Sequence, residues 1–284
     1  MADQATWFDQ VVFSGGGTRC LWQGGFMDVL KQEIPITPER ITGVSGGALT
    51  CCGFITSRGP EIRDLMMEIF AAHDRNVPLH EPFDEVDGHS PHQRMYHDVV
   101  SRAVGDPQAA RQIADGVSVQ ILLGRPPKDG WAKLSGAMMT MIYEADTVIR
   151  SNPHLAWAEM SGMESDLVDA NAASRDGKLV DLVCAAATIP PAFEPPLWDG
   201  RPAIDAGMID QAPLPRPDRG RTLILLTKEF RDIPQHDDRI YVMPSREVAA
   251  DKIDFTDPDK LALTWEQGEE DARRLLADGT LIRN

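Results

Sequence analysis

Gly43-Val44-Ser45-Gly46-Gly47 sets one serine between glycines placed two positions away on either side. A strand that turns sharply into a helix needs that spacing, because the residue at the tip stands on a tight turn and a side chain at either flank would strike the neighbouring strand or helix. The flanks agree: residues 40–42, Arg-Ile-Thr, follow Pro38 and read as a short β-branched strand, and Ala48-Leu49-Thr50-Cys51-Cys52 continue as a buried helix. Ser45 then stands at a helix N-terminus, where unpaired N–H groups and the helix dipole favour developing negative charge. It is the leading candidate nucleophile.

A second strand-to-helix transition lies near the start of the chain. Residues 11–13, Val-Val-Phe, form an apolar run that ends in Ser14-Gly15-Gly16-Gly17-Thr18-Arg19, and Leu21, Gly25, Met27 and Leu30 then share a helical face. Three consecutive glycines leave backbone N–H groups free to converge on one point, which makes an anion cradle. Acyl transfer needs such donors for the oxyanion of its tetrahedral intermediate, and losing one typically costs about 10²–10³ in rate. A nucleotide loop is the other use of such a cradle. The Gly-x-Gly-x-x-Gly spacing is met only loosely, however, and no Gly-Lys-Ser/Thr follows. Arg19 would hold the loop by hydrogen bonds or attract an anionic head group.

The serine needs a base, and two readings stay open. Of seven histidines only His236 follows Asp205, and it lies in the polar stretch Pro234-Gln235-His236-Asp237-Asp238, which reads as an exposed turn. The more economical candidate is Asp205 itself, in Ile204-Asp205-Ala206-Gly207, since a partly desolvated carboxylate can take a serine proton directly. An ordinary turn aspartate would occupy the same pattern.

The glycine loop Gly15-Gly16-Gly17-Thr18-Arg19, the elbow around Ser45, and Ala185-Ala186-Ala187-Thr188-Ile189-Pro190-Pro191-Ala192-Phe193 running on to Asp205-Ala206-Gly207 together resemble patatin-like phospholipases, in that order and over about two thirds of the chain. The resemblance implies a three-layer α/β/α sandwich with a mainly parallel central sheet, and hydrolysis of lipid acyl esters by a Ser-Asp dyad without metal or organic cofactor. By position it implies Ser45 as nucleophile, Asp205 as base and Gly15, Gly16 and Gly17 as oxyanion donors; the Gly46 N–H, next to the serine, is expected to join them. Two departures stand out. Cys20 occupies a position where the family usually has glycine, and Asp-Ala-Gly replaces the usual Asp-Gly-Gly or Asp-Gly-Ala, so Ala206 is tolerable only at negative φ. The same dyad would serve acyl transfer or thioester hydrolysis, and a chain that kept the cradle without the chemistry would be a lipid or nucleotide binder.

Composition bounds the rest. A chain of 284 residues suffices for one large α/β domain. The N-terminus lacks a basic region followed by an apolar segment, and no apolar run approaches the ~20 residues of a membrane span, which leads to the expectation of a soluble, cytoplasmic protein. With 44 acidic against 28 basic residues, the net charge of -16 excludes nucleic acid as a natural partner and disfavours adhesion to anionic bilayers. Partners are then a lipid or other acyl ester, with at most transient membrane contact, and the oligomeric state stays open. Cys20, Cys51, Cys52 and Cys184 fall in apolar or glycine-rich segments with no zinc spacing and read as buried free thiols. His89, His92, His97 and Asp98 follow Pro82 and read as a surface loop rather than a metal site.

Strands are expected near 11–13, 40–42, 179–183, 203–205, 222–226 and 239–242, and helices over 61–72 and 259–277. Prolines 190–191, 195–196 and 213–217 mark rigid loops expected to wall the site around Asp205. The segment 76–152 is the candidate lid or specificity region, and its apolar stripe from Trp131 through Met138 and Met141 to Ile149 reads as core first and acyl-chain lid second.

Overall fold

The computed structural model describes residues 7–72, 91–126, 152–154, 163–190, 193–207, 209–252 and 254–281. The apolar stripe from Trp131 to Ile149 and His89 lie outside them.

The strands are β1 (Gln10–Phe13), β2 (Arg40–Val44), β3 (Ser118–Arg125), β4 (Glu164–Asp169), β5 (Leu197–Trp198), β6 (Arg201–Pro202), β7 (Ile204–Asp205), β8 (Thr222–Leu225) and β9 (Arg239–Val242). Among the described residues, one sheet runs in the order β4-β3-β2-β1-β8-β9, with β7 added on β3, and β5 and β6 form a separate hairpin. Strands β3, β2, β1, β8 and β9 are parallel to their neighbours; β4 and β7 run antiparallel to β3. Parallel strands bury both faces, which is why Val11-Val12-Phe13 and Leu223-Ile224-Leu225 are continuous apolar runs with no exposure at all. Val11 and Phe13 join the larger core while Val12 joins Ile224, Ala212 and Phe230 in a smaller one. Layers on both faces make a three-layer α/β/α sandwich.

Among the described residues, helices α1 (Leu21–Glu33), α2 (Gly46–Thr56), α3 (Gly59–Ala71), α4 (Pro91–Val104) and α5 (Pro107–Ala114) precede β3 in sequence, and three more follow at Ala170–Arg175, Leu179–Ala186 and Pro258–Ala277. The last packs on α1 at unusually short range. A Cβ on Gly25 would lie 2.1 Å from the Trp265 carbonyl, and one on Gly268 would lie 2.1 Å from the Trp22 carbonyl. Trp22 Nε1 donates to Asp271 Oδ2 at 2.9 Å across the same contact, so the helix that follows the glycine loop is fixed along its length. Asp257 caps the C-terminal helix by accepting from the Asp259 and Lys260 amides.

Several expectations need correction. Residues 179–183 are a helix, not a strand: Leu179, Leu182, Val183 and Ala186 are buried at helical spacing, a period that a short apolar run conceals. His92, His97 and Asp98 lie on α4 rather than in a loop; His92 is buried, and Asp98 faces Arg102 one turn on. Among the described residues no group of three His, Cys, Asp or Glu is arranged to hold a metal ion. Residues 91–126 of the segment 76–152 build α4, α5 and β3, so this part belongs to the body of the fold. No helix among the described residues is long and apolar enough to cross a membrane. All four cysteines are free thiols.

Candidate active site

Ser45 follows directly on β2 and precedes α2, with φ 55° and ψ -135°. A non-glycine residue held there stores about 1–3 kcal/mol, which the packing on either side must sustain. That packing is close: a Cβ on Gly47 would stand 2.5 Å from the carbonyl oxygens of Phe13 and Ser14, and one on Gly43 would stand 2.9 Å from Ala48 Cα. The glycines of the elbow are therefore required by the approach of β1 and α2 themselves.

Asp205 arrives through sheet pairing. The last pair between β2 and β3 is Val44 with Leu122, after which β2 leaves the sheet at Ser45. The next residue of β3, Leu123, pairs with Asp205 on β7. One strand departs and another takes its place on the same edge of β3, which sets serine and aspartate side by side. Ser45 Oγ donates to Asp205 Oδ2 at 2.6 Å. The Gly207 amide donates to Oδ1 at 2.7 Å, and the Asp205 amide donates to the Thr188 carbonyl at 2.8 Å. Both side chains are buried, Ser45 at 3% and Asp205 at 4% exposure. Burial pushes the Asp205 carboxyl above its ordinary value of 3.8, against the opposing pull of the Lys252 charge and of the hydrogen bonds from Ser45 and Gly207. Ala206 does not take a positive φ, so the Asp-Ala-Gly variant is accommodated. His236 is exposed on its turn, and among the described residues no imidazole bonds to Ser45 or Asp205.

The glycine loop is pinned by hydrogen bonds that occupy part of it. The Gly15 amide donates to the Gln211 carbonyl at 2.9 Å and its carbonyl accepts from Thr227 Oγ1 at 2.7 Å, so Gly15 is taken out of the set of oxyanion donors. Gln23 Nε2 donates to the Ser14 carbonyl at 3.1 Å, and the Thr18 hydroxyl donates to the Asp251 carbonyl. For the amides of Gly16, Gly17 and Gly46 no acceptor is found among the described residues. Gly17 has φ 59°, and a Cβ there would lie 1.9 Å from the Lys252 carbonyl, so only glycine fits. Gly46 approaches the same loop: a Cβ on it would meet the Gly17 carbonyl at 2.5 Å and Cys20 Sγ at 3.0 Å. Cys20 is buried beside Asp205, and burial first and the Asp205 charge second drive its thiol far up, leaving it neutral.

A cavity of about 370 Å³ opens on Ser45 and Gly46. Leu49, Ile62, Met66, Phe70, Met95 and Val99, from α2, α3 and α4, form an apolar wall suited to a hydrocarbon chain. Ile189 and Phe193 line it from the proline-rich side. The 213–217 prolines are elsewhere: the Pro213 and Pro217 carbonyls accept from Thr42 and Gln10 beside β2 and β1, correcting their assignment to the wall. Arg19 is half-buried in the turn after the loop. Sequence reasoning missed Gln23, Thr227 and Lys252, which hold or border the loop. Only the polar Gln23 within an apolar helix offered a signal.

The sequence pattern of the patatin-like phospholipases matches residues 11–217, from β1 through Asp205 to the loop beyond it. A search of curated proteins finds none that matches the chain.

Proposed function

The chain belongs to the patatin-like phospholipase family, and from that premise we propose that it is a serine lipid acyl hydrolase in which Ser45 is the nucleophile and Asp205 the base. The observation that carries this reading is the 2.6 Å hydrogen bond from a strained, buried serine to a buried carboxylate. As Ser45 Oγ attacks the ester carbonyl, its proton passes to Asp205 Oδ2, and the oxyanion is received by the amides of Gly16, Gly17 and Gly46. The C–O bond to the leaving alcohol then breaks and the alkoxide takes the proton back from Asp205. Water attacks the acyl-enzyme, Asp205 accepts a proton from it, and fatty acid leaves as that proton returns to Ser45. The raised carboxyl suits this work, since a more basic carboxylate is a better acceptor of a serine proton. The net charge of -16 favours substrate taken as monomers or from zwitterionic surfaces.

The test is release of fatty acid from a short-chain phospholipid. The reading expects turnover in the wild type that Ser45→Ala removes. Turnover that survives in folded Ser45→Ala, or none from the wild type on any acyl ester, would contradict it.

A further inference from the structure

Contacts at both ends of the cavity beside Ser45 fix the levels of the helices around it, and with them its depth. Ile62, Met66 and Phe70 line it from one stripe of α3. At the upper end Phe70 packs edge-to-face on Phe255 with ring centroids 5.5 Å apart, and His92 of α4 stands 5.6 Å from the same ring. Phe255 comes shortly after Lys252, whose carbonyl accepts from the Thr18 amide at 3.4 Å, so this end is level with the glycine loop. At the lower end Arg58, the N-cap of α3, donates from Nη1 to the Ala103 carbonyl near the end of α4 at 3.1 Å. There Ile62 fills a notch that Gly53 leaves on α2: its Cδ1 lies 2.9 Å from where a Cβ on Gly53 would stand. The packing beyond is closed. Gly59 Cα lies 3.5 Å from that same point, and a Cβ on Gly59 would stand 3.1 Å from the buried Trp265 ring.

Resting on the hydrolase reading, we infer that Ile62 is a specificity-determining residue: seated in the Gly53 notch, it floors the channel that takes the acyl chain and limits that chain to about eight to ten carbons. At about 1.5 Å of rise per residue, Gly53 lies about 10 Å along α2 from Gly46, and an extended carbon chain advances about 1.2 Å per bond. Leu49 stands midway on α2 and Met66 midway on α3, so hydrocarbon meets apolar side chains on the way down. Methylenes up to that length leave water for the wall. Those beyond it meet packed side chains, and either stay in solvent or force Ile62 aside.

The experiment measures kcat/KM for p-nitrophenyl esters from butanoate to tetradecanoate in wild type, Ile62→Ala and Ile62→Phe. In the wild type each added methylene should raise kcat/KM by about three- to fourfold until octanoate or decanoate, where the rise stops. Ile62→Ala should move that break to longer chains by about two carbons, and Ile62→Phe should move it to shorter ones. Each profile is read against the same enzyme's rate on butanoate, so damage to folding or chemistry scales the whole profile and leaves the break in place. A break that stays put in both variants, or a wild-type profile that climbs through tetradecanoate, overturns the inference while leaving the hydrolase reading intact. Should no ester turn over, the hydrolase reading fails by itself. Calorimetric binding of the free acids of the same series to Ser45→Ala and to Ser45→Ala/Ile62→Ala then decides: a break displaced to longer chains in the double variant supports the floor at Ile62, and a common profile overturns it.

Discussion

The turn between β2 and α2 and the edge where β7 joins β3 deliver the two halves of one hydrogen bond by different means. At the turn the signal is local. Five residues set the geometry of Ser45, and its strain is held by glycine contacts with α2, which adjoins it, and with β1, the neighbouring strand of the sheet. At the edge almost nothing is local. Asp205 sits on a two-residue strand held by pairing with Leu123 and Gly124, by the Thr188 carbonyl and by Arg125, which donates to Asp166 and to the Trp198 and Arg201 carbonyls leading into β7. The proposed nucleophile is thus placed by a motif, whereas its proposed base is placed by topology.

If that contrast holds, substitutions in the two regions should fail differently. The largest effect is expected from Ser45→Ala, which should lower kcat/KM by about 10⁴-fold or more while the fold is kept, as judged by circular dichroism and steady-state kinetics. Next comes Asp205→Asn, which should cost about 10²–10⁴-fold in kcat through loss of the proton acceptor. Gly124→Val should approach the same loss without touching either reacting group. Even a Cβ there would stand 3.0 Å from Ile204 Cγ1 and 3.2 Å from the Asp205 carbonyl, so the larger side chain displaces β7 and leaves the elbow alone. Normal activity in Gly124→Val would refute the claim that β7 pairing places the base.

The buried carboxylate also sets a pH dependence. Asp205 must be ionised to act, so activity should fall on acidification at a pH above the ordinary 3.8, and Lys252→Met should move that acid limb upward by removing an opposing charge. The stability effect has the opposite sign. The folded-state value is raised, so the ionised carboxylate costs nothing below 3.8, costs more as pH rises through that value, and costs most above the raised one. Thermal melts should therefore show Asp205→Asn gaining on the wild type at neutral pH relative to its standing below 3.8. The smallest effect is expected at Ala206→Gly. Because Ala206 does not use positive φ, restoring the commoner glycine should change kcat/KM by no more than about threefold and cost about 0.5–1 kcal/mol in stability.

What could be read from sequence follows the same division. The elbow, the glycine loop and β1, β2, β8 and β9 are visible because glycine spacing and apolar runs are local signals, and a turn pattern marks Asp205 as a candidate without showing its partner strand. Strand β3 went unread in the segment 76–152, and with it the reason for Asp205's position. The helix Leu179–Ala186 reads as a strand in the sequence because a densely apolar stretch of eight residues shows no clear period. Lys252 could not be anticipated, since its approach to Gly17 depends on how the chain returns after β9. Gly15 looks equivalent to its neighbours in sequence, and the Gln211 carbonyl and Thr227 hydroxyl that distinguish it come from parts of the chain remote in sequence.

The most direct test is to treat wild type, Ser45→Ala and Asp205→Asn with a fluorophosphonate and map the adduct by peptide mass spectrometry. The dyad predicts a single modified serine at Ser45 in the wild type, no adduct in Ser45→Ala and strongly slowed labelling in Asp205→Asn. An adduct on another residue, or undiminished labelling in Asp205→Asn, would contradict it.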